Sequence, residues 1–477
     1  MDVMEVGELD DIDGCCYRGE GNANLVISLP AARSVLRFRK IKSPDELPAD
    51  GGRSRVEFEY KFYKEIITKY LGNFVKEPKI IKCHPRDIPH WNKRIEPHRS
   101  GHRRHKSLFE EYGTILPDYT LLPLELEGKI RGEKPTFCVE IKPKQGFMPE
   151  ADRHVQRCPY CVNQFYKLAK KTISRRSGYC PCDLFSGDTS RVKRAIDALV
   201  ETPQNNFIVF KNGQRVWAEG YERMELERLL AEWFSNGSSH DIQRLYEDLS
   251  HLLSEALLRE FPVGKDDDDD DDDDAPTSLL DPIKQVQAVP VLVEQQHQLD
   301  RETINKAAIH FNLLNEACDF PRGNLPRGSV LNCIYRMQQL HCISSDIVYA
   351  IYSMYSSIVD EQMVYFPSTD TAKQSFSSTS TSERICNDKP LNKTTIALLR
   401  NYLLFSIARD CSILLSFREI DSESAKNIPS EHVIEFSQQQ RYFSFSIGIT
   451  DVDPKNLNRI EKHRERTIRA LNSVTVD

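Results

Sequence analysis

A run of alternating charged residues, Glu140-Ile141-Lys142-Pro143-Lys144, follows three apolar residues and has the composition of a binding site. Alternate residues of a strand share a face, so we expect Glu140, Lys142 and Lys144 to project together. Two neighbouring ammonium groups repel each other unless they meet a strongly anionic group, for which phosphate is the usual choice. The alternative is a solvated basic strand end, which is common for Lys-x-Lys. The run favours a phosphate site.

Three other segments suit a nucleotide and its metal. The small residues of Gly19 to Asn24 would let backbone N–H groups approach an anion, and Arg37 follows one strand later. Asp410 opens an apolar strand, whereas Asp451 and Asp453 end an alternating one. Carboxylates at strand ends suit Mg²⁺, which usually takes one or two of them beside nucleotide phosphates. These segments predict phosphoryl-transfer chemistry.

Together these segments resemble the inositol pentakisphosphate 2-kinase family, and the animal-type members in particular. The motifs occur in family order and span nearly the whole chain. They are Gly-Glu-Gly-x-Ala-Asn at Gly19 to Asn24, Glu-Ile-Lys-Pro-Lys at Glu140 to Lys144, Asp-Leu-Phe-Ser-Gly at Asp183 to Gly187, Pro-Gln-Asn-Asn-Phe at Pro203 to Phe207, Asp-Cys-Ser at Asp410 to Ser412, and Asp-Leu-x-x-Lys at Asp451 to Lys455, with Val452 replacing the leucine.

The resemblance implies a phosphotransferase with an alcohol acceptor. The expected reaction moves the γ-phosphoryl group of ATP to the 2-hydroxyl of inositol 1,3,4,5,6-pentakisphosphate and gives inositol hexakisphosphate (phytate). One alternative is a non-catalytic scaffold that binds inositol phosphates, which would be expected if Asp410 or Asp451 were missing, but both are present. Another is nucleic-acid binding through Arg99 to Lys106, which is disfavoured because no stacking-aromatic motif lies beside that tract and the chain is acidic.

The resemblance also assigns the nucleotide and metal residues. Asp410 would orient or deprotonate the attacking hydroxyl, and Lys142 would lie nearest the transferred group. Asp410 and Asp451 would hold Mg²⁺; Asp453 shares a face with Asp451 on an extended segment, so geometry alone does not choose, but the family match falls on Asp451. The implied nucleotide-binding residues are Gly19, Glu20, Gly21, Asn22, Ala23, Asn24, Arg37, Asp118, Glu140, Leu414 and Asp451.

A ring of basic and amide groups is implied for the substrate. Its members are Arg103, Lys142, Lys144, Asn163, Lys167, Asn205, Asn206, Lys455 and Arg459. Lys455 and Arg459 are spaced i, i+4, so we expect them on one helical face. Arg103 is chosen from the basic tract Arg99 to Lys106, with Arg104 as the alternative. Asn163 stands where many members of the family have histidine, so an amide would make that contact.

A cysteine-rich segment has the spacing of a zinc site. Cys158-x2-Cys161 lies near His154, and Cys180 and Cys182 follow about twenty residues later. Animal members of the family resemble this chain in these cysteines, so the favoured ligands of a structural Zn²⁺ are His154, Cys158, Cys161 and Cys180, with Cys182 as an alternative to Cys180. An unligated Cys-x2-Cys remains possible. A rival set with irregular spacing consists of His310, Cys318, Cys333, His341 and Cys342.

The elements that must position these residues indicate an α+β, two-lobed kinase-like fold. The smaller lobe would span residues 1–122, ending in a hinge near Leu116 to Tyr119, and the larger lobe residues 123–477. Apolar spacing predicts a helix between Val56 and Leu71. Further helices are predicted at 191–199, 221–234, 240–258 and 338–359. The protein-kinase motifs His-Arg-Asp and Asp-Phe-Gly are missing from the sequence, which argues against ordinary protein-kinase activity.

Composition agrees with a large intracellular enzyme, and we expect it to be a monomer of the cytoplasm and nucleus. The chain has 477 residues and net charge −7; without the nine aspartates 266–274 the remainder carries −7 + 9 = +2. This run predicts a disordered insertion at 264–277, and a Ser/Thr-rich tract predicts a flexible loop at 368–381. The 13 cysteines are irregularly spaced, which favours a reducing compartment. We find no apolar run of about 18 residues, so no membrane association is expected.

Overall fold

The computed structural model describes residues 3–5, 14–99, 101–106, 108–234, 241–262, 301–313, 316–367 and 391–474. The predicted insertion at 264–277 and the predicted loop at 368–381 lie outside these ranges, so both stay predictions.

The strands form two six-stranded sheets. In chain order they are β1 Val3–Glu5, β2 Cys16–Glu20, β3 Asn24–Leu29, β4 Ser34–Ile41, β5 Lys79–Lys82, β6 Leu108–Pro117, β7 Phe137–Ile141, β8 Phe207–Lys211, β9 Gln214–Trp217, β10 Ser412–Ile420, β11 Val433–Phe436 and β12 Arg441–Thr450. The first sheet has the order β1-β5-β6-β4-β3-β2 and the second β11-β12-β10-β7-β8-β9. All pairs are antiparallel except β1 with β5.

The helices separate and flank the strands in the chain. They are α1 Arg53–Phe62, α2 Thr68–Leu71, α3 Ile88–Ile95, α4 Leu124–Glu127, α5 Pro159–Ala169, α6 Pro181–Leu184, α7 Thr189–Glu201, α8 Arg223–Phe234, α9 Ile242–Leu258, α10 Arg301–Leu313, α11 Val330–Gln339, α12 Ser345–Tyr355, α13 Glu361–Tyr365, α14 Lys393–Ala408, α15 Ser422–Asn427 and α16 Arg459–Val474. A π-helical turn, Tyr63–Ile67, joins α1 to α2.

The first of two compact units contains both sheets and comprises residues 1–142, 199–260 and 411–453. In the first sheet, the alternate residues Leu25 and Ile27 of β3 and Leu36 and Phe38 of β4 point to one side and pack on Trp91 of α3. This period of two buries one face of each strand, as expected for a sheet covered by a helix.

The second unit comprises residues 143–198, 261–410 and 454–477, and its described residues form helices but no strands. One of its cores is formed where Val162 of α5 and Phe311 of α10 pack on Leu471 and Val474 of α16. Among the described residues, no helix is long and apolar enough to cross a membrane.

The α+β class predicted from the sequence is confirmed, whereas the kinase lobes stay a prediction. The predicted boundary at residue 122 falls inside the first unit. Helices form where predicted in 56–71, 191–199, 221–234 and 240–258. The single helix predicted over 338–359 is wrong, because α11 ends at Gln339 and Ser344 caps a new helix by accepting a hydrogen bond from the N–H of Asp346.

Candidate active site

The predicted nucleotide loop is the turn between β2 and β3. The N–H of Gly21 donates to the Asn24 carbonyl oxygen at 2.9 Å, and the N–H of Lys40 donates to that of Ala23 at 2.8 Å. A Cβ added at Gly19 or Gly21 would meet no atom within 4 Å. The loop is therefore held by its own strands while its glycines face open space of the kind that a phosphate needs.

The carboxylate inside this loop is held by buried cations. Glu20 accepts from Lys40 Nζ at 2.5 Å and from Arg99 Nε and Nη2 at 3.0 and 2.8 Å. The exposed fractions of these side chains are 0%, 2% and 3%. Burial alone would raise the pKa of Glu20, but the bonds from Arg99 and Lys40 lower it. Glu20 is ionised and committed to the protein, so its backbone is the part left for a nucleotide.

Arg99 also organises the predicted basic tract. Its Nη2 donates to the carbonyl oxygens of Arg103 and Lys106 at 3.0 and 2.8 Å. Lys106 Nζ in turn donates to the Asn22 carbonyl oxygen at 3.1 Å. Arg99 is therefore an anchor for the tract, while Arg103 is half-buried and Arg104 is exposed. Both stay candidates for a substrate contact.

Asp118, the predicted hinge residue, lies in a buried network. Its carboxylate accepts from the Arg18 guanidinium, from Ser28 Oγ at 3.1 Å and from Thr120 Oγ1 at 2.5 Å. Its N–H donates to the Arg33 carbonyl oxygen at 2.8 Å. The side chain thus fixes the chain after β6 to the strands of the first sheet.

The predicted nucleotide residue Leu414 belongs to a buried apolar cluster on the second sheet. Leu414 packs with Cys138 and Phe210, and Tyr119 and Ile208 lie against them. The contact of Leu414 with a nucleotide base therefore stays a prediction.

Three motif residues meet beside the end of β7. Lys142 Nζ donates to Ser412 Oγ at 2.7 Å and to an Asp451 carboxylate oxygen at 2.8 Å, and Ser412 Oγ donates to the same oxygen at 3.2 Å. Glu140 lies 3.5 Å from the ammonium group. Burial would lower the pKa of Lys142, but Asp451 and Glu140 outweigh it and raise that pKa, so the lysine is a permanent cation. Asp451 has a left-handed backbone, φ +63°, and a side chain that is 54% exposed.

The structure distinguishes the two aspartates at the end of β12. The Asp453 carboxylate accepts hydrogen bonds from both terminal nitrogens of the Arg37 guanidinium. Burial opposes the charge of Arg37, but Asp453 outweighs it and raises the pKa of the guanidinium. Arg37 and Asp453 are therefore committed to each other in a bidentate pair, whereas Asp451 presents an exposed carboxylate beside Lys142.

The prediction that Glu140, Lys142 and Lys144 alternate along one strand is wrong. Strand β7 ends at Ile141, and the backbone of Lys144 is left-handed with φ +62°. Lys142 belongs to the first unit and Lys144 to the second. The period of two therefore stops before the second lysine.

The predicted amides precede β8 in the first unit. Asn206 is buried; its N–H donates to the Pro203 carbonyl oxygen at 2.8 Å, and its own carbonyl oxygen accepts from the N–H of Lys142 at 3.0 Å. Asn205 is exposed. Asn206 thus supports the backbone of Lys142, and Asn205 offers its side chain to solvent.

Asp410 in the second unit lies among cations. It follows α14 and is half-buried. Burial would raise its pKa, but the positive charges of Arg409, Lys144 and Lys455 outweigh it, and the pKa of Asp410 is lowered. Burial holds the pKa of His463 well below the ordinary value, so this imidazole adds no positive charge at neutral pH. The carboxylate is ionised and outnumbered by positive charge.

The other predicted substrate residues of the second unit lie on or near two packed helices. Asn163 and Lys167 are half-buried and spaced i, i+4 on α5. The expectation that Lys455 and Arg459 share a helical face is wrong, because α16 begins at Arg459. Lys455 lies before the helix, outside regular secondary structure. Its N–H donates to the Tyr365 hydroxyl, and its carbonyl oxygen accepts from the same hydroxyl, both at 2.9 Å.

A group of four thiols differs from the predicted zinc ligands. The sulfur atoms of Cys158, Cys180, Cys182 and Cys318 lie within 4.8 Å of one another. Cys180 Sγ is 4.0 Å from that of Cys158 and 3.7 Å from that of Cys318. Zinc–sulfur bonds of about 2.3 Å in a tetrahedron place sulfur atoms about 3.8 Å apart, so the spacing fits zinc.

Two predicted ligands lie outside this group. His154 is exposed in a turn. Cys161 is one helical turn beyond Cys158, and its thiol donates to the Tyr179 carbonyl oxygen at 3.9 Å. Cys182, which was predicted only as an alternative to Cys180, and Cys318, which was predicted only in the rival set, take their places. Cys318 also accepts from the N–H of Cys158 at 3.3 Å. Spacing could not reveal this ligand because it lies 160 residues from Cys158.

Ser412 and Arg409 were not predicted as site residues. Ser412 bridges Lys142 and Asp451. Among the cations around Asp410, Arg409 lowers the pKa of that carboxyl most. Both adjoin Asp410 in the sequence, and Ser412 belongs to the Asp-Cys-Ser motif, so that motif was the available signal.

The first unit thus offers a glycine loop beside open space and an exposed carboxylate that suits a metal ion, and the second unit offers a carboxylate among cations. The family model described as inositol-pentakisphosphate 2-kinase matches residues 17–467. The chain therefore belongs to the inositol-pentakisphosphate 2-kinase family, a family of inositol polyphosphate kinases.

Curated relatives share that description. A zebrafish (Danio rerio) inositol-pentakisphosphate 2-kinase is 26% identical over 95% of this chain and 91% of its own length. The Drosophila melanogaster protein of the same name is 28% identical over 55% of this chain and 56% of its own length. The Arabidopsis thaliana protein of that name is 23% identical over 96% of this chain and 92% of its own length.

Proposed function

We propose that this enzyme transfers the γ-phosphoryl group of ATP to the 2-hydroxyl of inositol 1,3,4,5,6-pentakisphosphate and releases inositol hexakisphosphate. Membership of the family supports the reaction class, and the names of the zebrafish and plant relatives support the substrate.

The charge around Asp410 carries the proposal. Arg409, Lys144 and Lys455 bring three positive charges to the neighbourhood of one carboxylate in the second unit. An excess of cations is stable when a polyanionic ligand neutralises it, and a substrate with five phosphates does so.

The nucleotide residues of the first unit fit ATP. Gly19 and Gly21 leave room for phosphates, and Leu414 belongs to an apolar cluster whose edge would suit the base. The exposed Asp451 carboxylate is a suitable oxygen ligand for Mg²⁺, and Asp410 remains the second predicted ligand. When bound, Mg²⁺ would neutralise phosphate charge.

The chain's own groups would do the remaining work. Asp410, whose pKa is lowered, is a carboxylate at neutral pH and can accept a hydrogen bond from the attacking hydroxyl. Lys142, whose pKa is raised, stays charged and can pair with a phosphoryl oxygen. Ser412 keeps that ammonium group in place.

We also propose that the four thiols hold a structural Zn²⁺. The donor set contains sulfur only, and phosphoryl transfer asks for a hard cation with oxygen ligands, so a catalytic role does not fit. Cys158 lies at the start of α5, which carries Asn163 and Lys167, so the metal would brace the predicted substrate helix.

The proposed setting is a monomer in the cytoplasm and nucleus that needs no membrane or nucleic acid. The free thiols of the described cysteines suit a reducing compartment.

Purified protein should be incubated with ATP, Mg²⁺ and a panel of inositol polyphosphates, with products separated by ion-exchange chromatography. We expect inositol hexakisphosphate from the pentakisphosphate whose 2-hydroxyl is free, and no reaction with pentakisphosphates that carry a 2-phosphate. Folded protein that yields no hexakisphosphate contradicts the proposal. Tight substrate binding without turnover would support the scaffold alternative.

A further inference from the structure

A buried amide in the second unit has no role in the function described so far. Gln338 is the penultimate residue of α11, and its side chain is 0% exposed. Its neighbours on this helix, Ile334, Tyr335 and Met337, are also buried. A polar side chain at such a place is costly to bury unless its hydrogen bonds are made.

All four hydrogen-bonding positions of this amide are used. Its Oε1 accepts from the N–H groups of Gly146 and Phe147 at 2.9 and 3.0 Å. Its Nε2 donates to the carbonyl oxygens of Lys144 and Ala408 at 2.9 and 3.3 Å. A carboxamide has two donors and two acceptor lone pairs, so Gln338 is saturated by backbone groups from two distant segments.

The two segments carry predicted reactive groups. Lys144 is held in a left-handed conformation, which a non-glycine residue adopts at some energetic cost and keeps only when its surroundings fix it. Ala408 ends α14, two residues before Asp410. Lys144 is also one of the cations whose charge lowers the pKa of Asp410.

Close packing limits how this segment can move. A Cβ added at Gly146 would lie 2.2 Å from the ring of Phe185, so the chain passes too near that ring for any other residue. The Tyr179 hydroxyl donates to the Pro143 carbonyl oxygen at 2.7 Å. Gln338 therefore acts on a segment already held on either side of Lys144, and it connects that segment to the end of α14.

We propose that Gln338 is a positioning residue for phosphoryl transfer, which sets the Lys144 ammonium group relative to the Asp410 carboxylate. The inference rests on the proposed function, because it assigns the two groups their places in that reaction. A misplacement of about 1 Å in a reacting geometry can lower a rate about 100-fold, so loss of this link should reduce kcat strongly.

The test is a double-mutant cycle in the full-length enzyme, with turnover normalised to the fraction of protein that binds inositol hexakisphosphate in calorimetry. Gln338→Met keeps the side-chain length but makes none of the four bonds. We expect it to lower kcat by about 10- to 100-fold while the KM for ATP changes by less than about twofold. In a Lys144→Ala background, Gln338→Met should lower kcat little further, because the ammonium group that Gln338 positions is no longer there.

Two further variants separate positioning from general stability. Gln164→Met removes another buried amide of the second unit, whose Oε1 accepts from the N–H of Ser177 at 3.1 Å, and should leave kcat unchanged. Gln338→Glu keeps the shape and the acceptors but loses both donors, and it should lower kcat even if Gln338→Met does not fold. Protonation restores one donor, so the loss in Gln338→Glu should shrink as the pH is lowered.

The outcomes separate this inference from the proposed function. If wild-type enzyme makes no hexakisphosphate, the proposed function fails before any variant is compared. If it does, but Gln338→Met and Lys144→Ala multiply independently, or Gln164→Met loses as much as Gln338→Met, the positioning role is overturned. In wild-type protein, hydrogen exchange at Gly146 and Phe147 should slow at least fivefold on binding inositol hexakisphosphate, and no change would also overturn it.

Discussion

Acid should destabilise the second unit through one buried imidazole. His341 lies two residues beyond α11, with ring centres of Tyr402 and Phe405 both 4.8 Å away. Its Nε2 is 3.0 Å from Ser345 Oγ and 3.9 Å from a carboxylate oxygen of Asp152. That carboxylate accepts bonds from Ser345, and burial together with the charge of Arg409 lowers the pKa of His341 to about 3. His341 is therefore neutral at pH 7.

The direction and size of this loss of stability follow from proton linkage. An unfolded histidine has a pKa of about 6.5, so below that pH the unfolded chain takes up a proton that native His341 refuses. Stability is therefore lost as pH falls from about 6.5 towards about 3, the native value. Between pH 7 and pH 5 the loss from this one group is about 2 kcal/mol.

Urea denaturation at pH 7 and pH 5 measures this loss. His341→Gln keeps an amide near Ser345 but removes the titrating group, so its free energy of unfolding should fall by about 2 kcal/mol less than that of wild type over this interval. His90→Gln, at an exposed position, is the matched control and should behave like wild type. If His341→Gln loses as much stability as wild type, His341 does not bear the acid sensitivity.

The remaining predictions concern the site and the thiol group. Asp410→Ala should abolish turnover while leaving calorimetric binding of inositol hexakisphosphate largely intact, whereas Lys455→Ala should weaken that binding; equal losses of binding would contradict this division. Ser412→Ala removes the hydroxyl that holds Lys142 beside Asp451, and it should lower kcat/KM for ATP by about tenfold in steady-state assays. An unchanged kcat/KM would refute this role of Ser412. Cys318→Ser should reduce the zinc content from about one per chain and lower the melting temperature, whereas Cys161→Ser should leave the zinc content unchanged. If elemental analysis shows that Cys161→Ser loses zinc and Cys318→Ser keeps it, the metal has another ligand set.

The sequence supports correct predictions where the signal is local. The apolar spacing from Val56 to Leu71 indicated the helices that form there. Motif order was sufficient to indicate the family because it depends on residue identity and not on folding. Where two elements meet within a few residues, as at Ser344, a capping hydroxyl decides the boundary and the apolar pattern continues across it.

The site contacts that escaped prediction join distant segments of the chain. Cys318 joins Cys158 across 160 residues, and Gln338 reaches Lys144 across 194. A buried polar residue on an apolar helix face has no spacing rule that indicates its partner. Such residues are found only when the backbone groups that they satisfy are known.

Charge type alone also fails to separate a ligand from an anchor. Arg37 is a basic residue at a position that suits ATP, and Asp453 is an acidic residue at a position that suits Mg²⁺. Yet the two side chains form a bidentate ion pair with each other. Glu20 lies in the nucleotide loop, and its carboxylate is enclosed by two cations. Asp451 differs because more than half of its side chain is exposed beside Lys142, and its backbone is left-handed. The feature that favours Asp451 over Asp453 as the metal ligand is therefore the partner that each carboxylate meets in the fold. The charge of the two residues could not predict those partners, although the family match already fell on Asp451.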